Sequence, residues 1–177
     1  MTLVAASAPL IEADLQGHRQ LAELIGAQVP DNWPPDLDGR EAMKFALRLL
    51  QDPAEQGWSF WYLLTKLPQD AEVREAGVQE FEVLGVCGYK GRPNEAGSVE
   101  ISYSVLSQFR NLGFASEAVA RLVLWAFGHQ AVKAVTAETL PHLRQSIRVM
   151  EKNGFTYTGP GSEHGVVRYA VQRPDTR

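Results

Sequence analysis

The stretch VEISYSVLSQFRNLGFASEA, residues 99–118, holds the residues best suited by type and spacing to do chemistry. An alternating apolar run passes through the short loop Gln108-Phe109-Arg110-Asn111-Leu112-Gly113 straight into a long helical pattern that starts at Phe114. A helix start leaves several backbone N–H groups unpaired and carries about half a positive charge, so it attracts phosphates. Gly113 withholds a Cβ where an anion would approach the backbone, and Ala115 keeps the helix start small. Arg110 can add a charged contact to the same phosphate. No second glycine and no Gly-Lys-Ser/Thr follows, which excludes a dinucleotide fingerprint and a P-loop. The same residues would also serve an ordinary strand-to-helix turn.

Other reactive side chains form no such constellation. His18, His129, His142 and His164 show no metal-ligand spacing, and no metal site is expected. The single Cys87 sits in an apolar strand pattern and reads as core rather than nucleophile. Trp33, Trp58, Phe60 and Trp61 are large for strand and loop positions; they could wall a ligand pocket, though core packing is the favoured reading. Arg144 and Arg148, one turn apart, read as a solvated helix face that could also touch phosphates.

The elements that must position these residues follow from periodicity. Leu15, Leu21 and Ile25 predict a helix over 14–28, and Met43, Leu47 and Leu50 a second over 40–51 that stops at Asp52-Pro53. Between them, VPDNWPPDLDG is turn-rich. Alternation then predicts a strand from Trp58 to Thr65, followed by an exposed connection from Leu67 to Glu80. Phe81 to Tyr89, whose glycines suggest bending or close backbone approach, and Val99 to Leu106 are the next two predicted strands. The longest helical stripe runs from Phe114 to Gln130, followed by a strand over 132–138 and a helix over 143–153 that Gly154 ends. Residues 155–157 and 166–171 close the chain as a hairpin. The order is that of a mixed α/β domain, with hairpins first and a crossover helix later.

Composition bounds the function class. A chain of 177 residues fits one domain, 1–177, and buries enough surface to need no metal or disulfide. Seventeen basic against 21 acidic residues give −4, which argues against a phosphate-coating nucleic-acid binder. It does not argue against one locally held pyrophosphate. No apolar run reaches the roughly 20 residues of a membrane span. MTLVAASAPLIEAD lacks the basic start of a signal peptide, so a cytoplasmic location is expected.

Arg110-Asn111-Leu112-Gly113-Phe114-Ala115 resembles the Arg/Gln-x-x-Gly-x-Gly/Ala signature of the GNAT superfamily of acyl-CoA-dependent N-acyltransferases. Joined to Glu117-Ala118 and to SIRVMEKNGF, the stretch is similar to the branch containing the Rim-type ribosomal-protein N-terminal acetyltransferases. The resemblance covers about residues 81–169. It implies a mostly antiparallel sheet of six to seven strands, flanked by helices, whose central strand pair splays apart. It further implies acetyl-CoA as acyl donor, its pyrophosphate cradled by backbone N–H groups of Asn111, Leu112, Gly113, Phe114, Ala115 and Ser116. The pantetheine arm would pair with the backbone of the strand over 99–106, at Ser104 and Val105, and an N–H near Tyr103–Val105 would polarise the thioester carbonyl.

On the same resemblance, Glu100 of the Glu-Ile-x-Tyr pattern is the candidate general base, acting directly or through a water. A solvated strand carboxylate is the alternative. Tyr103 is expected in a core or acetyl-pocket role. Many relatives protonate the leaving thiolate with a Tyr where this chain has Met150; Ser146, one turn earlier, is the candidate that hydrogen-bonds it. An ordinary helix serine bonded to its own backbone is the competing reading. The family's Asn near the start of this helix aligns with Leu143, so that polar contact is missing or supplied by His142. The implied acceptor is a primary amine, of a peptide N-terminus or of a small molecule. Loss of turnover, leaving an acyl-CoA-binding module, is the alternative from another class. Pairing of two copies through the closing strands is a further expectation.

Overall fold

In the computed structural model, which describes residues 1–35, 39–67 and 80–174, alternation along the strands sorts side chains into two cores on opposite faces of one sheet. Among the described residues the strands are β1 (Thr2–Ala5), β2 (Phe60–Lys66), β3 (Phe81–Tyr89), β4 (Ser98–Val105), β5 (Ala134–Thr139), β6 (Thr156–Pro160) and β7 (Val167–Gln172). They form a seven-stranded sheet in the order β1-β2-β3-β4-β5-β7-β6. Every neighbouring pair is antiparallel except β4 and β5, which are parallel and joined by the crossover helix α4 (Phe114–Phe127).

On one face Val99, Ile101 and Val105 of β4 pack with Ala118, Val119, Leu122 and Ala126 of α4, and with Met150 of α5 (Arg144–Lys152). On the other face lie α1 (Ala8–Gln16), α2 (His18–Ile25) and α3 (Gly39–Leu49). Their Ile11, Leu21 and Met43 pack onto Phe60, Tyr62, Leu64 and Val83 of β2 and β3. Truncating any one of these three buried side chains to Ala costs about 2–5 kcal/mol. This second layer stops at β3. From β4 to β7 the same face carries mostly polar and charged side chains, Glu100, Ser102, Ser104, Thr136, Glu138 and Arg168, with only the small Ala134 and Ala170 between them.

The predicted mixed sheet is present, and α4 starts at Phe114 as expected. The structure differs from the sequence reading at three places. The helix predicted over 14–28 is two helices, because Gly17 takes φ 152° and both ends α1 and begins α2. Residues 2–5 form the edge strand β1, pairing with β2 from Thr2↔Leu64 to Ala5↔Trp61. Strand β2 starts at Phe60 rather than Trp58. Most of the connection expected from Leu67 to Glu80 lies outside the described residues.

Candidate active site

Strands β4 and β5 share rungs only from Ser98↔Ala134 to Ile101↔Ala137. Beyond them β4 stays with β3 as far as Val105↔Gly85, and β5 stays with β7 as far as Thr139↔Val167. The two central strands therefore part while each keeps its outer neighbour. On the β3 side, Lys90 N–H donates to Glu100 C=O and Leu106 N–H to Leu84 C=O, both at 2.9 Å. Antiparallel alternation then turns the peptide groups of Ser102 and Ser104 toward β3, and those of Tyr103 and Val105 into the opening. Ser104, expected with Val105 at the cofactor, thus has its backbone in the sheet and only its side chain on the uncovered face.

At the end of β4 a short 3-10 turn (Ser107–Phe109) leads to Asn111 at φ 63° and Gly113 at φ 88°. Asn is among the few residues that accept the left-handed region, and Gly113 accepts it freely. A Cβ on Gly113 would meet nothing within 4 Å, so the backbone angle demands the glycine and the space before the helix is open. No side chain caps α4. Its first internal bond runs from Glu117 N–H to Gly113 C=O (3.0 Å), which leaves the N–H groups of Phe114, Ala115 and Ser116 pointing out of the helix end. Asn111 and Leu112 are exposed beside them. Arg110 folds back, its Nε donating to Val105 C=O at 3.1 Å across the mouth of the opening.

Glu100 and Ser146 are not brought into contact. Glu100 points from β4 onto the uncovered face, where Lys90 forms an ion pair with its Oε1. Ser146 sits half-buried on α5, on the other face. There its Oγ lies 3.0 Å from the Tyr103 hydroxyl, which also donates to Ser146 C=O at 3.1 Å. Met150 is fully buried, Leu143 is exposed just before α5, and Arg144 and Arg148 are exposed. Burial drives the Cys87 thiol far above its ordinary value, so it stays an unreactive core group. Trp33, Trp58 and Phe60 are buried and Trp61 half-buried, as core packing requires.

Two contacts had no sequence signal. The Asn153 side-chain amide, at the end of α5, donates to Val149 C=O (2.8 Å) and reaches Ser116 C=O and Oγ, each at 3.2 Å. It ties the end of one helix to the first turn of the other. The Tyr103 to Ser146 pair is the second, joining residues 43 apart in the chain.

The split strand pair and the uncapped helix start after it lie in a segment that a known family also covers. Residues 9–156 match the acetyltransferase (GNAT) domain family. The chain belongs to the GNAT acetyltransferases. As a GNAT enzyme it uses acetyl-CoA as acyl donor. It is 25% identical over 157 residues to the uncharacterized N-acetyltransferase YjdG of Bacillus subtilis, covering 88% of this chain and 86% of that one. It is 32% identical over 78 residues to the uncharacterized N-acetyltransferase p20 of Bacillus licheniformis, covering 44% of each. Among solved structures, the fold is similar to that of the ribosomal-protein-S5-alanine acetyltransferase from Vibrio fischeri. The TM-score is 0.63 at 14% identity, with 98% of this chain and 93% of that chain covered. No group of three or more His, Cys, Asp or Glu suited to a metal ion occurs among the described residues. Nor is any helix among them long and apolar enough to cross a membrane.

Proposed function

We propose that this GNAT enzyme, with residues 1–177 as one domain, acetylates a primary amine by direct attack, and that the acceptor is a peptide or protein N-terminus. The observation that carries the reading is the placement of Glu100 and Ser146 on opposite faces of β4, at either side of the opening. The backbone N–H groups of Asn111, Leu112, Gly113, Phe114, Ala115 and Ser116 hold the pyrophosphate, with Arg110 beside them. The outward peptide groups of Tyr103 and Val105 pair with the pantetheine arm, and one N–H faces the thioester oxygen as negative charge develops there.

The amine enters from the uncovered face, where Glu100 takes its proton directly or through a water. Such base catalysis is worth about 10²–10⁴ in rate. The thiolate departs toward the helix face, where the Ser146 hydroxyl hydrogen-bonds it. A neutral amine is nucleophile enough that no covalent enzyme intermediate is needed, and holding the reactants in line supplies much of the rest. The peptide acceptor is supported by the uncovered sheet surface from β4 to β7, which gives an extended chain room, and by the Rim-type motif around Arg110 and Ser146. A neighbour in fold is named for a ribosomal-protein alanine.

The test is turnover of acetyl-CoA, followed as free CoA, against peptides differing in their first residue and against small primary amines. Turnover with a peptide is expected. Turnover with small amines alone overturns the acceptor class, and thermal stabilisation by acetyl-CoA with no turnover overturns the catalytic reading.

A further inference from the structure

Ser116 stands in the first turn of α4, beside the outward N–H groups of Phe114 and Ala115. Helical side chains lean toward the N-terminus, so its Oγ lies back over the end of the helix. Among the described residues that oxygen has one hydrogen-bond partner, Asn153 Nδ2 at 3.2 Å, just past the end of α5. The backbone there is firmly held: the N–H groups of Asn153 and of the buried Phe155 both donate to C=O of the fully buried Met150, at 2.9 and 3.1 Å.

The direction of the contact is fixed by its chemistry. An amide nitrogen has two hydrogens to give and accepts none. Asn153 Nδ2 gives one to Val149 C=O (2.8 Å) and shares the other between Ser116 C=O and Ser116 Oγ, each at 3.2 Å. Two of these three partners are carbonyl oxygens, so the nitrogen and not Oδ1 must face them. Ser116 Oγ therefore accepts from Asn153 and keeps its own proton. No acceptor among the described residues takes that proton.

We infer that Asn153 is a positioning residue for the donor's pyrophosphate: it holds Ser116 Oγ so that the serine hydroxyl donates to a phosphate oxygen. The inference rests on the reading of the α4 start as the pyrophosphate cradle. A serine hydroxyl left to itself rotates and can spend its proton on a carbonyl of the preceding turn. With one lone pair engaged by Asn153, the proton is turned away from the amide, to the side where the backbone N–H groups point. The phosphate then meets a hydroxyl donor beside those N–H groups, and a hydrogen bond to a charged oxygen is among the stronger ones. The role is one of binding, and it leaves the proton transfer at Glu100 untouched.

The experiment measures the acetyl-CoA Kd by calorimetry for the full chain and for Ser116→Ala, Asn153→Leu and the double variant. It needs no acceptor amine. Ser116→Ala is expected to raise Kd about tenfold and Asn153→Leu about fivefold. The double variant should bind no more weakly than Ser116→Ala, because Asn153 acts through Ser116. Asn153→Leu keeps the volume and removes the donor, and Asn153→Ala repeats the test without a bulky side chain. S-acetylpantetheine, which carries the thioester and the arm but no phosphate, separates positioning from general loosening of α5. Its Kd, from ligand-observed NMR, should stay within about twofold of wild type in every variant. Equal losses for both donors, or losses that multiply in the double variant, overturn this inference alone. So does a wild-type acetyl-CoA Kd in Ser116→Ala or in both Asn153 variants while Gly113→Ala binds weakly. If Gly113→Ala and Ser116→Ala both bind acetyl-CoA as wild type does, the pyrophosphate reading falls and this inference with it.

Discussion

Asp14 under the helix-covered half of the sheet and Glu138 on its uncovered half are both largely hidden carboxylates with opposite electrostatics. Asp14 takes hydrogen bonds from two neutral donors, Trp33 Nε1 and the Tyr62 hydroxyl, each at 2.8 Å. Desolvation outweighs them and raises its pKa. For Glu138 burial pulls the same way, but Ser162 N–H (2.9 Å), Ser162 Oγ (2.7 Å) and Arg168 Nε (2.8 Å) outweigh it and hold the pKa low. The covered half uses polarity to lock its loop and helices together. The uncovered half keeps its charges paired, Glu100 with Lys90 and Glu138 with Arg168.

That contrast can be broken by substitution. The largest stability effect is expected from Asp14→Ala, which strands the Trp33 and Tyr62 donors and costs about 2–4 kcal/mol. Urea unfolding should show this loss while the acetyl-CoA Kd stays unchanged. A changed Kd at unchanged stability would place Asp14 in the site and erase the division. Gly113→Ala should do the reverse. Its Cβ meets no neighbour, so the strain at φ 88° costs about 1 kcal/mol, while the acetyl-CoA Kd rises about tenfold by calorimetry. Arg168→Met is milder: the Arg168 side chain is 40% exposed, so losing its pair should cost about 0.5–1 kcal/mol.

The smallest effect is in pH dependence, and its two signs are opposite. The raised Asp14 favours the folded state most below its ordinary 3.8, and that contribution is lost as pH rises through the folded value. The depressed Glu138 contributes above its ordinary 4.5 and loses that contribution as pH falls through the folded value. In Tm measured against pH, Asp14→Asn should remove the first slope and Glu138→Gln the second. Like-signed changes would contradict the electrostatic contrast.

Local signals carried much of the fold. Residues 81–89 are a short apolar run that forms β3 as predicted, and Gly113 before a 3.6-residue stripe marks the start of α4. β1 escaped because TLVA is four residues long with no alternation to read, and it exists by pairing with β2. The break at Gly17 escaped because a glycine inside a helical period is tolerated as often as it ends one. The candidate site divides the same way. The 110–115 signature is contiguous and so was legible. Tyr103 with Ser146 and Asn153 with Ser116 lie 43 and 37 residues apart, and only the packing of α5 against β4 and α4 makes them neighbours. Sequence placed Glu100 and Ser146 near one reaction; their positions on opposite faces follow from strand parity and α5 packing together.

The most direct test of the central claim, that the opening between β4 and β5 is worked from its two faces, is kcat for Glu100→Gln between about pH 6 and 9. The expected result is a fall of about 10²–10⁴ with the acetyl-CoA KM unchanged, because Glu100 meets the amine and not the cofactor. An unchanged kcat across that range would contradict it.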